Sequence, residues 1–140
     1  MSEEPSRPDL VELSRRRLAA VNRRDIDAVM SFFADEPVWD MSPINMGIFE
    51  GRAAIRGALE TWWETFDGFV SELDEIVDLG NGVVFQIVTQ RGRLDGSDGE
   101  IRQRSARVLV LVDSLIERLT SFNDIDEARS VAERFAEEPD

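Results

Sequence analysis

A chain of 140 residues, 42% of them hydrophobic, can enclose one core without disulfide staples and is short for two domains. Its net charge of −13 opposes phosphate backbones and anionic lipid. With no basic stripe, no signal-like start and no apolar run of about 18 residues, it reads as a cytoplasmic protein with neither nucleic acid nor membrane as partner. Cys, His, Tyr and Lys are absent and all 16 basic residues are Arg, which excludes thiol and imidazole nucleophiles, Schiff bases and thiolate or imidazole metal ligands; no metal or cofactor is expected, and proton transfer falls to carboxylates.

Residues 1–8 are polar and acidic and read as a disordered tail, with a single domain over 9–137. Pro8-Asp9 followed by Glu12 resembles a relaxed capping box, and Leu10, Leu13 and Val21 mark a first helix over 9–22. Arg15 to Arg17, the only basic run, is placed on the solvated face of that helix. Asp25 caps a short second helix, in which Ile26, Val29, Met30 and Phe33 keep helical spacing. Pro37 ends helical structure, and Val38 to Met41 reads as a short strand. Ser42 to Glu50 is a loop carrying Ile44, Met46, Ile48 and Phe49, apolar enough to need covering. A third helix runs from Gly51 to Phe66, with Ile55, Leu59, Trp62 and Phe66 on one face, and Gly68 stops it.

Strand signals fill the second half. Phe69 to Leu79, Val83 to Leu94, Ile101 to Val112 and Leu115 to Asn123 are joined by Gly80-Asn81-Gly82, by the Asp95 to Glu100 turn and by Asp113-Ser114. Short connections in series make an antiparallel meander. The Asp95 to Glu100 turn lacks the spacing of a calcium loop, and no Gly-rich phosphate cradle follows a strand. Asp124 to Glu137 is a closing helix with Ala128, Val131, Ala132 and Phe135 on one side, before a tail at 138–140. Helices first and a meander after them give an α+β fold: a cone-shaped, curved antiparallel sheet packed on three N-terminal helices, plus a C-terminal helix. The mouth of such a cone suits a small apolar ligand.

Specific residues carry a resemblance. Phe33-Ala34-Asp35-Glu36-Pro37-Val38-Trp39-Asp40, then Phe49-Glu50-Gly51-Arg52-Ala53-Ala54-Ile55, resembles the signature of SnoaL-like proteins in the nuclear transport factor 2-like superfamily. That signature is an acidic pair, a short strand, then aromatic-x-Gly-Arg-x-x-Ile. The stretch from Asp113-Ser114 through Ile116 and Phe122-Asn123-Asp124 to Glu127-Ala128 is similar to the family's closing hairpin, strand and helix, with Ser114 where Gly is usual. The resemblance spans residues 10–135. It implies a cystatin-like cone, often a homodimer through the outer sheet face, where Leu109 and Leu111 are expected. It also implies company among polyketide cyclases, ketosteroid isomerases, epoxide hydrolases and plain binding domains.

Carried over residue by residue, the resemblance places the steroid-isomerase base on Met41, beside Asp40, and strand alternation lets only one of the two face the cavity. The isomerase's oxyanion donors have no counterpart, since Tyr is absent and Val108 stands near the place of the Asp. Against limonene-type epoxide hydrolases, Arg91 and Asp124 match the Arg and the second Asp; Arg93 replaces the first Asp, and Trp39 and Met41 replace the water-holding Tyr and Asn.

The expected pocket is therefore Phe33, Trp39, Met41, Trp62, Trp63, Phe66, Phe85, Ile87 and Thr89, with Asp124, Asp40, Arg91 and Arg93 as candidate catalytic groups. A carboxylate would act as base and a guanidinium as anion stabiliser. Two functions stay open. One is a cofactor-free acid/base enzyme of polyketide cyclase or isomerase type acting on an apolar, keto-bearing ligand. The other is a non-catalytic ligand-binding or dimerisation domain, with the indoles as core packing and Arg91 with Asp124 as a structural ion pair.

Overall fold

The computed structural model describes residues 9–94 and 99–137, with the side chains at 66, 67, 69 and 94 outside that description. Helix α1 (Leu10–Arg23) begins where the Asp9 carboxylate accepts the Glu12 amide at 3.0 Å, and it ends at a left-handed Arg24. Asp25 then caps α2 (Ile26–Met30) through the Ala28 amide at 3.2 Å. Strand β1 (Phe33–Asp40) starts five residues before the expected Val38, so Phe33 belongs to the strand and not to the second helix. Pro37 sits inside β1 within the register irregularity against β6, where a missing amide hydrogen is tolerated.

The apolar loop is partly ordered. A 3-10 turn at Ser42–Ile44 leads to a short strand β2 (Ile48–Glu50) that pairs antiparallel with β1. Gly51, at φ +95°, turns the chain from β2 into α3 (Arg52–Thr65). The Arg52 guanidinium donates to the carbonyls of Phe33 at 2.8 Å and Ala34 at 3.2 Å. The Gly-Arg pair thus ties α3 to the start of β1, which is the physical content of that part of the signature.

Four long strands follow: β3 (Phe66–Gly80), β4 (Val83–Leu94), β5 (Glu100–Val112) and β6 (Leu115–Phe122), closed by α4 (Ile125–Glu137). The sheet order is β2-β1-β6-β5-β4-β3, antiparallel at every junction except the parallel β1–β6 pair. In the Gly80-Asn81-Gly82 reversal all three residues have positive φ, and a Cβ at Gly82 would collide with the Leu111 carbonyl oxygen.

The sheet is covered on both faces. On the inner face Val84, Leu109 and Leu119 pack with Val21, Val29 and Ile55 from the first three helices. On the outer face Phe85, Ile87, Val108 and Phe122 pack under Ala128 and Ala132 of α4. Two expectations are corrected here. Phe85 and Ile87 lie on the α4 side, and Leu109 and Leu111 lie in the inner core, so they offer no outer apolar face for a homodimer. Strand side chains alternate, and a one-residue choice of parity moves the whole set to the other face.

Candidate functional site

Between α1, α3 and the inner face of the sheet lies a cavity of about 140 Å³. Its walls are apolar. Phe33, Trp39 and Met41 come from β1 and its end, Leu59, Trp62 and Trp63 from α3, and Ile44 and Met46 from the 3-10 turn and the residues after it. Trp39 is held by its indole N–H, which donates to Ser121 Oγ at 3.3 Å, and its ring lies 6.2 Å from that of Phe49 in a tilted arrangement.

The sheet supplies a polar floor. Strand register places Gln86, Arg107 and Ser121 side by side on β4, β5 and β6, and Ser71, Gln90 and Gln103 side by side on β3, β4 and β5. All of these except Gln86 line the cavity, and Gln103 also donates to Asn123 at 3.0 Å. Helix α1 is fixed over this floor by Asn22, whose amide accepts from the Ser71 N–H at 2.8 Å and donates to the Ser71 carbonyl at 2.9 Å.

Two arginines line the cavity. Arg17 of α1 and Arg107 of β5 are only 3% and 8% exposed, and among the described residues no carboxylate pairs with either. Burial lowers the Arg17 pKa to about 9, with the like charge of Arg107 adding to the effect, and burial lowers Arg107 to about 10; both stay cationic at neutral pH. Arg17 Nε and Nη2, Trp63 Nε1 and Ser71 Oγ are buried without a hydrogen-bond partner among the described residues. An unpartnered buried cation is unfavourable by several kcal/mol. Among the described residues no Asp or Glu lines the cavity.

The expected site residues divide. Phe33, Trp39, Met41, Trp62 and Trp63 wall the cavity, whereas the Phe66 side chain lies outside the described residues. Thr89 shares the outer face with Phe85 and Ile87, and its hydroxyl donates to Asp74 at 2.5 Å. Arg91 meets Glu72 at 2.7 Å rather than Asp124, and Arg93 is exposed; neither lines the cavity.

Asp40 points away from Trp39 and Met41. Its carboxylate accepts from Arg118 at 2.7 Å and from the Ser42 amide and hydroxyl at 2.9 and 2.6 Å. Burial alone would raise its pKa, but the Ser42 hydrogen bonds and Arg118 outweigh that and hold it below the usual carboxylate range. Asp124 is exposed and caps α4, accepting from the Glu127 amide at 3.0 Å. Position by position, the alternation of β1 answers the open question between Asp40 and Met41: Met41 lines the cavity.

Sequence reading passed over Arg17 and the polar floor. The signal for Arg17 was its spacing: it falls with Leu10, Ser14 and Val21 on the buried stripe of α1, not on the solvated face. For the floor the signal was the period-two run Gln103, Ser105, Arg107 on β5, which alternates with the α4-side residues Ala106 and Val108.

Residues 14–119 match the SnoaL-like domain family. The chain belongs to this SnoaL-like family. The SnoaL-like fold is also found in solved structures of low sequence identity. A hypothetical protein with a ketosteroid isomerase-like fold from Catenulispora acidiphila DSM 44928, in complex with trimethylamine, matches with TM-score 0.71 and 16% identity over 84% of this chain and 86% of that one. A Mycobacterium tuberculosis protein in complex with estradiol-17beta-hemisuccinate matches with TM-score 0.71 and 15% identity over 84% and 95%. An epoxide hydrolase of the same species, described as LEH-like, matches with TM-score 0.69 and 15% identity over 89% and 90%. At these identities the likeness concerns the SnoaL-like fold alone. No protein of curated function matches the sequence.

Proposed function

We propose that this SnoaL-like domain binds a small molecule with an apolar, ring-sized body. The observation that carries the reading is the cavity of about 140 Å³ walled by Trp39, Trp62, Trp63, Phe33 and Met41. An apolar cavity of about 150 Å³ takes up benzene, so one ring fits within the walls and a larger ligand extends through the mouth. That structural relatives form complexes with trimethylamine and with estradiol-17beta-hemisuccinate supports small-molecule binding.

Binding is favoured over acid/base turnover by the walls themselves. Among the described residues they include no carboxylate, and the two candidate bases, Asp40 and Asp124, are engaged with Arg118 and the α4 N-terminus. A general base has to reach the proton it removes, and geometry comes before pKa in that test.

The test is calorimetric titration with acetophenone, a neutral ring carrying a keto group. We expect binding with a negative heat-capacity change, weakened about tenfold or more by Met41→Trp, which fills the hollow while leaving circular dichroism unchanged. Absence of binding to the wild-type protein overturns the reading. Protein-accelerated hydrogen–deuterium exchange at the acetophenone methyl group, slowed in Asp124→Asn, restores acid/base catalysis in its place.

A further inference from the structure

We infer that the polar end of this cavity is an anion subsite built by Arg17 and Arg107, and that the ligand is an organic carboxylate carried on a ring. This deepens the binding reading above and rests on it.

The pattern of charge pairing points there. Acidic residues outnumber basic ones by 29 to 16 in this chain, so an arginine without a carboxylate partner does not reflect a shortage of acids. On the surface Arg56 meets Asp27, Arg104 meets Asp74 and Arg129 meets Glu75, all at partly exposed positions where pairing contributes least. Arg17 and Arg107 lie where an unpaired charge is most unfavourable, and among the described residues they have no acid beside them. Their forked N–H groups match a carboxylate in shape as well as charge.

The other unpartnered groups of the same cavity agree. Trp63 Nε1 can only donate, Ser71 Oγ can donate, and Arg17 Nε and Nη2 can only donate, so the complement of this set is a group rich in acceptors. These atoms belong to α1, α3 and β3, on residues that line the cavity from both the helical roof and the sheet. Indole and phenyl walls then receive the ring, and the guanidiniums the head group.

Benzoate and benzamide separate the alternatives, because they share size and a carbonyl acceptor and differ in charge. By calorimetry on the full chain at neutral pH we expect benzoate to bind about tenfold or more tightly than benzamide. Arg17→Met and Arg107→Met should each abolish that preference, and Arg104→Gln on the outer face should keep it. Trp63→Phe, which removes one N–H donor, should weaken benzoate more than acetophenone. Equal affinities of benzoate and benzamide for the wild-type protein overturn the anion subsite, and this comparison holds even where a variant fails to fold. Acetophenone binding without a benzoate preference removes the subsite and keeps the binding reading; failure of all three probes removes both.

Discussion

Asp40 and Arg17 take opposite routes as charges removed from water. The Asp40 carboxylate is kept ionised by Ser42 and Arg118, and its pKa in the folded chain lies below the ordinary 3.8. Below that value the unfolded chain binds more protons than the folded one, so the contribution of Asp40 is complete at higher pH and is lost as pH falls through the folded pKa. Asp40→Asn should cost about 1–2 kcal/mol at neutral pH and progressively less toward pH 3, read as the difference in urea midpoint between variant and wild type. Arg17 has no such partners, and helical spacing already places it on the buried stripe of α1. At this scale the aromatic walls were legible in part: helix spacing put Leu59 and Trp62 on one face of α3, whereas strand alternation left the choice between Asp40 and Met41 open. The ionic groups were not: Arg91 and Asp124 were assigned from positions in related folds, and here neighbours on the outer face and the α4 N-terminus engage them instead.

Among the elements, α4 explains the second misplacement. Strand β4 is apolar on both faces, with Val84 and Val88 inward and Phe85 and Ile87 outward, because α4 covers the outer side; a strand buried on both faces gives no alternation from which to read its parity. Capping, by contrast, was legible at α1 and α2, where Asp9 and Asp25 accept amides three residues on. Asp124 does the same for α4. Asp124→Ala should therefore lower stability by about 1 kcal/mol and Asp124→Asn by almost nothing, both with unchanged acetophenone affinity, as thermal melting and calorimetry would record. Strand β1 outran its expected length because Pro37 is accommodated at a register irregularity, a tertiary circumstance that residue preferences do not carry.

For the whole molecule, the fold class and the covering helices were legible in the order of the elements, whereas the sheet's closure through the parallel β1–β6 pair required coordinates. The molecule's restricted alphabet also isolates its buried cations. His, Cys, Lys and Tyr are absent, and among the described residues Arg17 and Arg107, lowered to about 9 and about 10, titrate between the carboxylates and ordinary arginines. Their folded pKa values lie below the ordinary arginine range, so in that window the unfolded chain holds more protons and stability should rise with pH. A urea midpoint higher at pH 10.5 than at pH 8, and level in the Arg17→Met/Arg107→Met double variant, is the expected outcome. The cavity walls have an optical consequence as well. All three tryptophans of the chain border the same hollow, and no tyrosine contributes a background. Tryptophan emission therefore originates entirely at the cavity walls, and a shift in it on adding acetophenone would serve as a label-free gauge of the proposed occupancy.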